Sequence, residues 1–295
     1  MNRPLPDDIY DCYIEAGKIA SVIIRDGGGM IQRGVPLLEV VESVERMVSD
    51  AGAGLAFPLN LSLNEDAAHD TASSGDERVF SEGDIVKLDL GVHLDGYIAD
   101  TALTIDLGEN GLLVEASKRG LESAIAIVKS GISIGEIGGA IQEEIEVRGF
   151  RPVSNLTGHG LARYAIHTPP SIPNIGFQGG MRLEEGMVFA IEPFASSGSG
   201  RVNEKSRVEI FQQTGIKPVR LPSARKILAS IRERNGMPFA RRWIPDEKRD
   251  FALTTLIQQG IVRAYPVLAD TPGSLVSQHE HTLIVTDEGC IVTTA

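Results

Sequence analysis

Five side chains of metal-ligand type follow one another along this chain in the order Asp, Asp, His, Glu, Glu. Asp89 and Asp100 lie in KLDLGVHLDGYIADTALTI, His159 in NLTGHG, Glu192 in FAIEPFA and Glu280 in QHEHTLIV. Carboxylate oxygens with one imidazole suit divalent ions such as Mn, Fe, Co or Zn. A single catalytic zinc usually takes three protein ligands and a water, so five ligands exceed its needs. Two ions sharing bridging carboxylates would use all five. That chemistry is two-metal hydrolysis, with ions roughly 3.5–4 Å apart acting on one water and one carbonyl.

Strand geometry tests the aspartate pair. Asp95-Gly96 is a two-residue hairpin signal. Such a turn sets Gly91 opposite Asp100, with Asp89 diagonal to Asp100 on the same face; a four-residue turn would set Asp89 directly opposite Asp100. Either register leaves the two carboxylates about 4.5–8 Å apart at Cβ. Two such acids repel unless a cation lies between them. Taken alone, they could be polar residues of an exposed hairpin. Glu192 argues otherwise, because it interrupts the apolar strand MVFAIEPF, and Glu280 stands just ahead of the apolar run Leu283–Val285. His159 stands between glycines that allow close backbone approach to a ligand. His69 in NEDAAHD and His167 in YAIHTPP are further candidates beside a substrate.

The elements that must hold these residues read as an α+β fold. Ile9, Tyr13, Ala16, Ala20 and Ile23 have helical spacing over 7–26, and Gly27, Gly28 and Gly29 read as its stop. Pro36 opens a second helix before Gly52. Strands follow over 85–107, then a helix near 112–130. Ser133 and Glu136 form a capping-box pair for another helix reaching Gly149. Short strands are expected near 153–157, 187–195 and 205–212, helices over Ala224–Arg234 and Pro245–Gln259, and a closing strand pair in HTLIVTDEGCIVTT. Two helices followed by antiparallel strands occur twice, which suggests an internal duplication.

At 295 residues the chain can bury a large core. No apolar run approaches 18 residues, and the start lacks a secretory pattern, so neither a membrane span nor export is expected. Two cysteines, Cys12 and Cys290, fit buried small hydrophobes in a reducing cytoplasm. The net charge of −12 argues against DNA or general nucleic-acid affinity. Residues 210–263 depart from that balance. They carry 11 Lys and Arg against 4 Asp and Glu, a local net of +7, leaving −19 for the rest. The plain reading is a solvated helical face. The sharper one is contact with an anionic surface such as ribosomal RNA, with Arg241 and Arg242 as contacts.

Six motifs in order, NLSLNEDAAH, KLDLGVHLDGYIADTALT, NLTGHG, IHTPPSIPNIG, EEGMVFAIEPFA and QHEHTLIV, resemble the type II methionine aminopeptidases in their archaeal form. The resemblance runs from about residue 5 to 295. It implies a single pita-bread catalytic domain, pseudo-two-fold, with a type II helical insertion at about 213–263. It implies removal of initiator methionine from nascent chains with a small second residue, by a hydroxide held between two divalent ions (Co, Mn, Fe or Zn). By this resemblance Asp89 chelates one ion, Asp100 and Glu280 bridge, and His159 and Glu192 complete the second. Glu192 is then the proton shuttle, His69 sits near the scissile bond, and His167 bonds the substrate carbonyl. Phe57, Ile166 and Tyr265 match the methionine pocket, beside His69 and His167. A monomer working in the cytoplasm, near the ribosomal exit, is the expected setting.

The 88-residue spacing from Glu192 to Glu280 favours type II over type I, and the archaeal form is expected to lack a long charged extension ahead of the domain. IHTPPS departs from relatives, which commonly carry a small residue and Gly after the His. An X-Pro dipeptidase shares the ligand set but needs a full N-terminal domain, and only about 60 residues precede FPLNLSLN. A non-catalytic binding module on the same fold would typically have lost ligands, and all five are present.

Overall fold

The computed structural model describes residues 4–245 and 248–295. Its first half opens with helices α1 (Asp7–Met30) and α2 (Leu37–Asp50), then strands β1 (Gly54–Leu55), β2 (Asn60–Leu63), β3 (Asp66–Ala68), β4 (Ile85–Leu94) and β5 (Tyr97–Asp106). The second half repeats the order with α3 (Gly111–Ile127) and α4 (Ile134–Val147). Strands β6 (Arg151–Pro152), β7 (Thr157–Ala162), β8 (Ala165–Pro173), β9 (Val188–Ile191), β10 (Phe194–Ser196) and β11 (Asn203–Gln213) follow. Then come α5 (Pro222–Ser230), β12 (Phe239–Ala240), α6 (Arg249–Gln258), β13 (Val262–Ala269), β14 (Val276–Gln278), β15 (His281–Val285) and β16 (Cys290–Val292). This is the α+β arrangement read from the sequence.

Helix α1 does not stop at its glycines; it runs through them. A Cβ on Gly27 would come within 2.7 Å of Val44 Cγ2 and 3.3 Å of Leu88 Cδ2. Gly27 lets α1 lie against α2 and β4, and Gly28 lets it lie against Leu103 and Ile105 of β5. Close packing, and not chain reversal, explains these two, while a Cβ on Gly29 would meet nothing. The Ser133–Glu136 capping box closes in both directions at the start of α4. The strand expected near 153–157 is instead two pieces, β6 and β7. The helix expected over 224–234 ends at Ser230 and continues as a 3-10 turn over Arg232–Arg234. The helix expected from Pro245 begins at Arg249; Asp246 and Glu247 lie outside the described residues.

The sheet halves meet at the ligand segments. β4 and β5 pair across Asp95-Gly96, both at positive φ (49° and 88°), as a two-residue hairpin turn demands. Gly91 therefore faces Asp100, and Asp89 faces Ala102. In the other half β9 lies between β15 and β7. An isolated bridge joins Ala102 to Glu280, and the Asp100 backbone N–H donates to Thr282 Oγ1 at 2.7 Å. Helices α1 and α2 cover the first half with a core of Val40, Val44, Leu61 and Leu88. Helices α3 and α4 cover the second with Ile137, Ile141, Phe189 and Leu283. Helices α5 and α6 pack on β11 and β13 through Phe211, Ile227, Phe239 and Leu256. No helix among the described residues is long and apolar enough to cross a membrane. Cys12 and Cys290 are free thiols.

Candidate metal centre

Ligand-type residues from both halves converge on one cavity of about 240 Å³. Asp89, Asp100, His159, Glu192 and Glu280 all line it, together with His69, His167, Phe57, Ile166 and Tyr265. Asp89 and Asp100 come from the β4–β5 hairpin, on one face by the register above. His159 is in β7, Glu192 directly follows β9, and Glu280 directly precedes β15. Asp100, His159 and Glu280 offer donor atoms all within 4.8 Å of one another. His159 Nε2 lies 3.7 Å from Asp100 Oδ2 and 3.7 Å from Glu192 Oε1.

Burial makes this constellation costly without a cation. Asp100 is 2% exposed and Glu280 1%. Burial pushes the Asp100 carboxyl well above the usual range, reinforced by Asp89 and Glu192. Burial does the same to Glu280, helped by Asp100, Glu192 and Asp89, and to Glu192, helped by Asp89. Asp89 is raised by burial, against which a hydrogen bond from Gln278 works. Asp89 Oδ1, Asp100 Oδ1 and Glu280 Oε1 are buried without a hydrogen-bond partner. Burial holds His159 down to about 3, so its imidazole is neutral and free to ligate. Orphaned carboxylate oxygens around a neutral imidazole fit a divalent cation, which would offset the burial that now raises these acids.

The remaining residues form an apolar wall and a polar mouth. The Phe57 ring lies on Gly91, where a Cβ would come within 2.2 Å of it, so the missing side chain admits the ring beside Asp100. Ile166 and Tyr265 are 4% and 6% exposed. The Tyr265 hydroxyl donates to Gln212 Oε1 at 2.5 Å, and Gln212 Nε2 donates to the Gly236 carbonyl at 2.8 Å. His69 sits at φ 65°, and its Nδ1–H donates to the Pro266 carbonyl at 3.3 Å, leaving Nε2 unprotonated. Burial lowers its pKa to about 4. His167 meets the His159 ring edge-on at 4.6 Å between centroids. The glycines around His159 serve the backbone more than a ligand. A Cβ on Gly158 would strike the Ala190 carbonyl, and one on Gly160 the Pro169 carbonyl.

Two polar neighbours were not read from the sequence. Gln278 donates to Glu280 Oε2 at 3.2 Å and braces Asp89, while Asn60 faces Asp89 across β2 and β4. Period-two spacing from Glu280 would have found Gln278, since i and i+2 share a face. Arg241 and Arg242 also differ from the reading as exposed contacts. The Arg242 side chain is 5% exposed and bonds Glu45, Thr71 Oγ1 and the Ala72 carbonyl. Arg241 pairs with Glu209 and Asp250. Arg234 donates to the Leu55 carbonyl and stacks on Trp243, whose Nε1–H reaches Glu45 at 2.9 Å. These arginines hold the strand before Phe57 and the segment after His69, and the charge count alone could not show their partners.

A family model for metallopeptidase family M24 matches residues 11–287. This chain belongs to metallopeptidase family M24. Among M24 relatives it is 49% identical to a methionine aminopeptidase of Archaeoglobus fulgidus over 98% of this chain and 100% of that one. It is 47% identical to the methionine aminopeptidase of Pyrococcus abyssi, covering 96% and 99%. Its fold is similar to the crystal structure of methionine aminopeptidase from Thermotoga maritima, with TM-score 0.74, 26% identity, and coverage of 100% and 99%. The M24 architecture is thus the pita-bread fold expected from the motifs, with a cluster suited to divalent metal.

Proposed function

We propose that this M24 peptidase is a methionine aminopeptidase that removes the initiator methionine from new chains with a small second residue. One observation carries the reading: a single cavity combines five metal-ligand side chains with an apolar wall of Phe57, Ile166 and Tyr265. Two ions would be held by Asp89, Asp100, His159, Glu192 and Glu280, with Asp89 serving one, His159 and Glu192 the other, and Asp100 and Glu280 shared between them. Co, Mn, Fe or Zn suit these donors. When bound, the ions act as Lewis acids that ease deprotonation of water and polarise the scissile carbonyl.

The protein's own groups do the rest. A Glu192 carboxylate oxygen takes the attacking water's proton and passes it to the leaving amine. His167 donates a hydrogen bond to the substrate carbonyl oxygen as negative charge grows there. His69, neutral and tethered through Nδ1, presents Nε2 beside the scissile bond. Phe57, Ile166 and Tyr265 enclose the thioether, for which sulfur–aromatic contacts contribute about 0.3–1.5 kcal/mol. We read the enzyme as a cytoplasmic monomer of the type II form, one domain whose insertion spans about 213–263.

Hydrolysis of Met-Ala-Ser, set against an Xaa-Pro dipeptide, tests the activity. Phe57→Ala tests the pocket. It is expected to raise KM for Met-Ala-Ser and narrow the Met over Leu preference, a discrimination of about 1–3 kcal/mol for a methylene-sized difference. An unchanged kcat/KM ratio for Met-Ala-Ser and Leu-Ala-Ser would remove Phe57 from the pocket.

We further propose that the basic segment docks near the ribosomal exit. With Arg241 and Arg242 engaged internally, the surface falls to the exposed Arg220, Arg225, Lys226 and Arg232. Charge reversal at Arg225 and Arg232 is expected to weaken co-sedimentation with ribosomes at low salt and leave tripeptide hydrolysis intact. Unaltered co-sedimentation would return these residues to a solvated face.

A further inference from the structure

Arg263 is a cation beside the cavity that has no carboxylate partner among the described residues. It is exposed in β13, two residues before Tyr265 and on the same sheet face. Its guanidinium carbon lies 4.9 Å from the Tyr265 ring centroid. Among the described residues no Asp or Glu is paired with it. The Tyr265 ring beneath it borders His69 at 5.3 Å and His167 at 6.2 Å. Its charge helps to lower the pKa of both histidines, after burial and, for His69, after His167.

That position is one residue layer outside the cavity. Tyr265 is 6% exposed and lines the cavity, whereas Arg263, stacked on its ring, is exposed and does not line it. A peptide whose first residue fills the apolar wall must leave past this mouth, advancing about 3.3 Å per extended residue. The guanidinium is then within reach of side chains some three or four positions along. Stacking on an aromatic face steadies the long side chain, which reduces the ordering entropy that weakens exposed ion pairs.

We propose that Arg263 is a specificity residue that favours peptides carrying an acidic side chain at the third or fourth position over those carrying a basic one. This rests on the aminopeptidase reading. It adds a charge preference that a pocket for methionine does not supply, in a chain whose overall charge of −12 would otherwise disfavour acidic substrates.

Three capped peptides test it at low salt: Met-Ala-Glu-Ala-amide, Met-Ala-Gln-Ala-amide and Met-Ala-Lys-Ala-amide. The wild-type protein is expected to show kcat/KM about two- to fivefold higher for the Glu than for the Lys peptide, the range of an exposed pair. Arg263→Gln should bring that ratio close to one, Arg263→Glu should invert it, and Arg263→Lys should keep its direction. Roughly 1 M salt should flatten it. A ratio unchanged by Arg263→Gln, or a KM raised equally for all three peptides, overturns the proposal and leaves Arg263 as a support for the Tyr265 ring. Failure of the wild-type protein to hydrolyse the Gln peptide overturns the aminopeptidase reading, and this inference with it.

Discussion

Asp100→Ala protein is expected to hydrolyse Met-Ala-Ser at least about 10³-fold more slowly than wild type, whichever of Mn, Fe or Co is supplied. Asp100 stands where both proposed ions depend on it, and Lewis-acid stabilisation is worth several kcal/mol at 1.36 kcal/mol per tenfold. Glu280→Ala should behave alike, whereas Asp89→Ala should affect one ion more than the other. Bound metal, measured per chain after dialysis, should fall together with the rate. Asp100→Asn separates function from folding. Burial and neighbouring acids raise the Asp100 carboxyl, so the neutral amide should leave the metal-free protein as stable as wild type or more so. Stabilisation by added metal, which follows mass action on the folded state, should meanwhile shrink. Turnover near wild type by Asp100→Ala would sink the two-ion assignment.

His167→Ala should lower kcat by about 10²–10³, the usual loss of one donor to a developing oxyanion. Its geometry makes the test sharp. His167 touches the His159 ring at 4.6 Å, so it could instead be a prop for a ligand. If it acts on substrate alone, metal content and affinity should match wild type while kcat falls. A parallel drop in bound metal would show that His167 supports His159, and the oxyanion role would be wrong.

The hairpin carrying Asp89 and Asp100 was legible because its turn is local chemistry. Asp95 and Gly96 are residue types that accept positive φ, and a two-residue loop dictates every pairing above it. The capping box of α4 was legible for the same reason. Glycine was the least legible letter. Gly27 reads as a helix stop, yet it serves close packing against Val44, and only the partner's position tells the two uses apart. Arg242 shows the other limit. Its charge was plain, but its partner Glu45 lies 197 residues earlier, so burial and pairing were invisible in any local window. Gln278 escaped notice because an uncharged amide beside a candidate ligand looks like any polar strand residue, although it braces two carboxylates.

The stitching of the two halves also sets an order of events during synthesis. Asp100 is held by Thr282, emerging 182 residues later; Arg234, which clasps the strand before Phe57, and Arg242, which holds the segment after His69, also arrive late. A partly made chain therefore has its first aspartates but neither the closing glutamate nor a braced pocket wall. Long-separation contacts of this kind form late, after much loop closure. If Glu280 is a ligand as proposed, the enzyme should stay inert until almost its whole length is free to fold, and an unfinished copy should not trim the start of a neighbouring chain. Truncation anywhere before residue 280 should yield no slow or unselective peptidase, only a protein without one.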